Sequence, residues 1–229
     1  MELSVLMNEF DISGRLVTIN PTGNGNVNDT FLAIFRNTFT EEQVILQRIN
    51  SNVFPEPEAI MHNLHQLTAH VHPRLEKEGE SADRVWQMPR IVPTRDGRDF
   101  FVDDSGDVWR VITKIPSATA FDEAQGTEHA AECGAVLGHF HWLVSDLDTT
   151  QVIDPLPGFH VTPGYLAKYD ATLQGETLAE QRMNASMEAR RMAMFIEDRR
   201  GFAATLQRAL DAGELTLRMM HGDPKVNNI

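Results

Sequence analysis

A chain of 229 residues, 41% hydrophobic and 23% charged, is long enough for one large domain or two modest lobes with cores of their own, and is neither disordered nor fibrous in composition. Thirty-three acidic against 20 basic side chains give a formal net charge of −13, which disfavours nucleic acid and anionic membranes. An anionic ligand then needs local backbone N–H groups or a metal ion to offset the overall field.

The N-terminus MELSVLMNEFDISG is acidic where a secretory leader is basic, and no apolar run reaches membrane length, so a cytoplasmic location is expected. The single cysteine, Cys133, excludes an intrachain disulfide and a cysteine-rich zinc site. After a short helix-like lead (Leu3, Leu6, Met7, Phe10), residues 15–50 read as three strands, RLVTINPT, VNDTFLAIF and QVILQRI, with GNGN between the first two. An antiparallel meander is the simplest arrangement. Pro55 and Pro57 open a helix whose apolar positions Ile60, Leu64, Leu67, Val71 and Leu75 fall at spacings of three and four. Between 80 and 110, DFFVD and DVWRVITKI are further strand candidates.

Ile115-Pro116-Ser117 marks a change of texture to mostly helical sequence, and places a lobe boundary after residue 115. Ala130, Cys133, Leu137, Phe140, Val144 and Leu147 predict a core-facing helix over 128–147. A Pro- and Gly-rich loop through Pro155, Pro157, Gly158, Pro163 and Gly164 follows, then helices near 176–199 and 201–212, and TLRMM reads as a short strand feeding HGDPKVNNI. The order implies an α+β fold with a β-rich lobe over 1–115 and a helical lobe over 116–229.

The terminal segment carries the sharpest chemical signal. His221, Asp223 and Asn228 have the spacing of H-R-D-x-x-x-x-N, in which the Asp receives an acceptor hydroxyl's proton and the Asn holds a metal ion. Lys225, two residues after the Asp, is placed to offset charge on a transferring phosphoryl group. An Asp-Pro turn followed by turn-forming asparagines is the plain alternative. Gly23 and Gly25 allow a tight turn to approach phosphates, although Asn28 replaces the third glycine of G-x-G-x-x-G and any hairpin can carry Asn-Gly.

Taken in order, GNGNVNDTFL, VILQRINSNVFPEPEAIMHN, WRVITKI, GHFHWLVSDLD, FHVTPGYLAKY and LRMMHGDPKVNNI resemble the aminoglycoside phosphotransferase and choline kinase superfamily, and within it the N-acetylhexosamine kinases. The resemblance spans nearly the whole chain. It implies a protein-kinase-like two-lobed fold with an incomplete helical lobe, ATP and Mg²⁺ as requirements, and an amino sugar phosphorylated at its anomeric hydroxyl. Homoserine, choline or an aminoglycoside is the alternative acceptor, and a catalytically silent nucleotide-binding protein the alternative from another class. Carried onto this sequence, Asp223 is the catalytic base and Asn228 a magnesium ligand. Gly25, Asn26 and Thr30 lie over the nucleotide phosphates, and Thr113, Lys114 and Ile115 form the hinge that meets adenine. Two departures stand out. Gln47 occupies the place of the V-A-I-K lysine, with Arg48 on the other face of its strand. The second metal-binding Asp is expected beyond Ile229, so that this chain by itself should not turn over.

Histidines 62 and 65, 70 and 72, and 139 and 141 form close pairs but lack a third ligand at metal spacing, so solvated helix faces are the expectation for the pairs and the lobe edge for His139 and His141. His160 in FHVTPGY matches the resembled kinases. Trp109, Trp142 and Phe140 are expected in cores, and Arg190, Arg191, Arg199 and Arg200 on solvated faces.

Overall fold

The computed structural model describes residues 2–23, 27–79, 84–175, 182–184 and 186–228. The fold is mixed α+β, with a β-sheet region first and a helix-rich region after it. Helix α1 (Leu3–Leu6) runs through a 3₁₀ turn (Met7–Glu9) into the sheet strands β1 (Arg15–Pro21), β2 (Asp29–Arg36) and β3 (Glu41–Ile49). Then come α2 (Pro57–Glu78), β4 (Ile91–Val92), β5 (Phe101–Val102), β6 (Val108–Thr113) and α3 (Thr127–Leu143). The remaining helices are α4 (Thr162–Gly175), α5 (Met187–Arg199) and α6 (Thr205–Asp211). Among the described residues no helix is long and apolar enough to cross a membrane.

The sheet is antiparallel throughout, in the order β1-β2-β3-β6-β4, with β5 also pairing β6. The meander expected from alternation is present. Leu16 and Ile19 both pack on one cluster although they are three apart, which plain alternation forbids; the irregularity between Leu16 and Thr18 supplies the missing shift. Alternation splits the sheet into two faces. On one, Ala33, Phe35, Val44, Leu46, Trp109 and Val111 are buried under the N-terminal lead, whose Leu6, Met7 and Phe10 are fully enclosed. On the other, Ile49 and Val108 pack against Met61 of α2.

Pro57 occupies the first turn of α2, where its missing N–H costs nothing. The helix's apolar stripe serves two clusters. Ile60 and Leu64 face the sheet, whereas Leu67, Val71 and Leu75 join Leu143, Val144, Leu147 and Met219. Through that second cluster α3 and the terminal segment belong with the sheet, and the chain divides into one unit of Met1–Pro155 with Arg218–Ile229 and another of Leu156–Leu217. The change of texture expected at 115 falls inside the first of these units.

Three local expectations are corrected. The helix expected over 128–147 ends at Leu143, and its stripe is buried only at the C-terminal end: Ala130 is exposed, Cys133 and Leu137 are half-buried, and Trp142 is 59% exposed. The Pro-rich loop gives way to α4 already at Thr162, because Pro163 in a first helical turn starts a helix rather than breaking it. TLRMM forms no strand, since a strand exists only beside a paired neighbour and none of the six lies against it.

In the second unit α5 begins at Ser186, whose Oγ accepts the Ala189 N–H at 3.2 Å. Arg190, Arg191 and Arg199 are exposed as expected. Arg200 instead binds both carboxylate oxygens of Asp170 at 2.8 and 2.9 Å and also pairs with Glu197, which ties α4 to the end of α5 and raises the guanidinium pKa.

Candidate functional site

The first group of expected site residues lies on the sheet. The turn after β1 closes with the Thr22 N–H donating to the Thr30 carbonyl at 2.9 Å, and Gly23 within it has φ +79°. Gly25 and Asn26 lie outside the described residues. Antiparallel register sets Thr30 opposite Gln47 and Gln47 opposite Arg110, so the three form a polar row across β2, β3 and β6 on the face that α2 covers. Arg110 Nε donates to Gln47 Oε1 at 3.0 Å, and Gln47 Nε2 donates to Thr30 Oγ1 at 3.2 Å. Arg48 points to the opposite face, where it pairs with Asp29 and Asp107 and lies over the Trp109 ring. It is no substitute for a lysine at position 47.

At the end of β6 the hinge candidate is well supplied with internal bonds. Thr113 exchanges bonds with Arg90, its N–H donating to the Arg90 carbonyl and its Oγ1 accepting the Arg90 N–H, both at 2.9 Å. The Lys114 N–H donates to the Gln43 carbonyl at 3.2 Å, and Lys114 Nζ to the Ile115 carbonyl at 3.3 Å. The Ile115 N–H has no partner among the described residues. A cleft of about 440 Å³ borders this strand end, lined by His72, Trp86, Met88, Thr113, Lys114 and Ile115. None of Asp223, Lys225 and Asn228 lines it.

The second group is the terminal loop, anchored by Met219 in the α2–α3 cluster, by the Arg218 guanidinium on the Ser145 carbonyl at 2.6 Å, and by the His221 ring edge-on to Phe140 at 5.9 Å. Gly222 turns the chain at φ +84°, a conformation side chains resist, and that turn exposes the next carboxylate. Asn228 Nδ2 donates to Asp223 Oδ2 at 2.8 Å and to the Asp223 carbonyl at 3.1 Å, and Lys225 Nζ stands 3.8 Å from the same Oδ2. His221 Nε2 meets the Asn228 carbonyl at 3.1 Å and closes the loop. Asp223 Oδ1 and Asn228 Oδ1 have no hydrogen-bond partner among the described residues, and the Asp223 side chain is 68% exposed. The spacing expected of Asp223, Lys225 and Asn228 thus resolves into one cluster of carboxylate, ammonium and amide.

No protein-family model matches the chain.

No hydrogen bond or ion pair among the described residues joins Asp223, Lys225 or Asn228 to Thr30, Gln47 or the hinge. Among the described residues no group of three His, Cys, Asp or Glu side chains could hold a metal ion. Asn228 Oδ1, unpartnered among the described residues, is an uncharged oxygen donor that suits Mg²⁺, an ion that keeps several waters and takes few protein oxygens beside substrate phosphates.

Two residues of this region escape the sequence motifs. Arg110 is signalled only by a charge at the inward position of Val108-x-Arg110-x-Ile112. Asp122 accepts Asn227 Nδ2 at 2.8 Å and so fixes the loop to the segment after β6, a contact that no spacing announces.

The histidines are not simply solvated. His62 meets the Gln151 carbonyl at 2.8 Å, His65 pairs with Asp99 at 2.7 Å, and His70 with Asp146 at 3.2 Å. His72 is buried against the Pro89 carbonyl at 3.3 Å. His139 stacks between Trp86 and Trp142, its Nε2 3.1 Å from Glu78 but outside hydrogen-bond geometry. His160 adopts φ +59°, and its N–H donates to the Tyr165 hydroxyl at 2.8 Å.

Proposed function

We propose that this chain carries the nucleotide-binding sheet and catalytic loop of a small-molecule kinase with a protein-kinase-like fold, of the aminoglycoside phosphotransferase and choline kinase type. It transfers the γ-phosphoryl group of ATP to the anomeric hydroxyl of an N-acetylhexosamine. The observation that carries this reading is the Asp223 carboxylate, with one oxygen engaged by Asn228 at 2.8 Å and the other unpartnered among the described residues.

In the reaction, the acceptor oxygen forms its bond to the γ-phosphorus as the bond to the β,γ-bridging oxygen breaks; ADP leaves and the acceptor proton passes to Asp223 Oδ1. Asn228 fixes the carboxylate's rotation, so that its free oxygen needs no reorganisation at the moment of transfer. Lys225 stands beside the same carboxylate and offsets negative charge developing on the phosphoryl oxygens. Asn228 Oδ1 would hold Mg²⁺, which would supply positive charge to neutralise the phosphate oxygens. The Ile115 N–H, unpartnered among the described residues, supplies a donor at the hinge for a purine edge.

The test is an ATP-dependent phosphorylation assay over amino sugars, homoserine, choline and aminoglycosides, run on the protein expressed from its whole reading frame. Transfer to N-acetylhexosamines above the others supports the reading; transfer to none sinks it. A catalytically silent nucleotide-binding protein is the second reading, favoured by the uncharged Gln47 on β3.

A further inference from the structure

The row Thr30–Gln47–Arg110 is a polar line on the sheet face whose Ile49, Val108 and Ile91 pack against α2. We propose that Arg110 is the cation that holds the phosphate chain of the nucleotide, doing from β6 what a lysine at the Gln47 position of β3 does in protein kinases. The inference rests on the kinase reading above.

Among the described residues Arg110 has no counter-ion. Its Nε bonds only the neutral Gln47 amide, and no carboxylate among the described residues lies within ion-pair distance of its two Nη groups. Asp29 on β2 and Asp107 just before β6 pair with Arg48 on the opposite face. Helix α2, which runs across this face, carries no carboxylate between Glu58 and Glu76. Part of the side chain still meets solvent, yet desolvation with nothing to offset it brings the guanidinium down to about 10, so it remains a cation at neutral pH. A cation withdrawn from water without a partner is costly, and an arriving anion relieves that cost. A guanidinium also presents its free N–H groups as a fork that matches two phosphate oxygens.

The same geometry explains Gln47. Its amide is held at both ends, Oε1 by Arg110 and Nε2 by Thr30 Oγ1, so it orients the guanidinium and links it to the strand that follows the glycine turn. A lysine there would set two like charges side by side on neighbouring strands. Gln47 and Arg110 are thus one exchange: the charge leaves β3 and reappears on β6.

Calorimetric titration with Mg²⁺-ATP, adenosine and inorganic tripolyphosphate, applied to the wild type, Arg110→Met and Arg110→Met with Gln47→Lys, tests this. The single variant is expected to bind ATP and tripolyphosphate about tenfold to a hundredfold more weakly and adenosine equally well. The double variant is expected to recover most of that loss, because the lysine restores the charge from β3. Unaltered phosphate affinity in Arg110→Met overturns the proposal, as does an equal loss for adenosine or a failure of Gln47→Lys to rescue. Without ligand, Arg110→Met should unfold at or above the wild-type temperature, since it removes an uncompensated charge; a much lower midpoint would mark Arg110 as structural and also overturn it. Arg110-dependent tripolyphosphate binding in a wild type that transfers no phosphoryl group would leave the anion site standing and remove the kinase reading alone.

Discussion

Gly14 has φ +100°, and a Cβ built on it would stand 2.7 Å from the carbonyl oxygen of Arg36 on the neighbouring strand. Gly14→Ala must therefore strain the backbone and push β2 away, at a cost of roughly 1–3 kcal/mol; urea unfolding reads this as a lower midpoint with an unchanged slope. His72 makes a pH prediction. Burial, then the Arg90 charge, lowers its pKa below the usual 6.5, against a smaller opposing effect of the Pro89 carbonyl. The unfolded chain then binds the proton first, so stability falls as pH drops through 6.5 toward the lower folded value. His72→Gln should flatten the loss of stability between about pH 7.5 and 5.5; a variant with the wild-type slope would show that the dependence arises elsewhere.

At the scale of elements, α2 couples the sheet to α3 through two separate clusters. Met61 is 1% exposed between Ile49 and Val108, and Met61→Ala is expected to cost about 2–5 kcal/mol. Met194 of α5 is 66% exposed, and its replacement by Ala should change stability by no more than about 0.5 kcal/mol. Denaturant midpoints of the two variants separate a packed element from an open one. The strands and α2 were legible because their apolar periods of two and of three to four are enforced by real burial. Helix α3 shows the limit of that logic: its stripe from Ala130 to Leu147 has helical period throughout, but only Leu143, Val144 and Leu147 find enough packing to be buried. Periodicity reports a face that could be buried, whereas burial depends on what lies opposite. The two-residue strand β4 and the helix starting at Thr162 were illegible for a different reason, since each sits beside a proline that reads as a breaker unless its place in the turn of structure is known.

At the scale of the whole molecule, the residues of the proposed site come from distant parts of the sequence, and spacing reveals only what lies within one segment. Asp223, Lys225 and Asn228 were visible together because six consecutive residues carry them. The row of Thr30, Gln47 and Arg110 is set by strand register across 80 residues, so the glutamine reads as a missing charge until its cross-strand neighbour is known. The net charge of −13 makes a further demand on the assembled site. Triphosphate binding should require Mg²⁺ despite Arg110, and a chelator should abolish ATP affinity while leaving adenosine affinity intact; ATP affinity indifferent to chelation would contradict this. The most direct measurement is phosphoryl transfer from ATP to an N-acetylhexosamine by the product of the whole reading frame, compared with its Asp223→Asn variant. The account predicts that the variant binds Mg²⁺-ATP and loses turnover by about 100-fold or more; a variant that keeps wild-type turnover would contradict it.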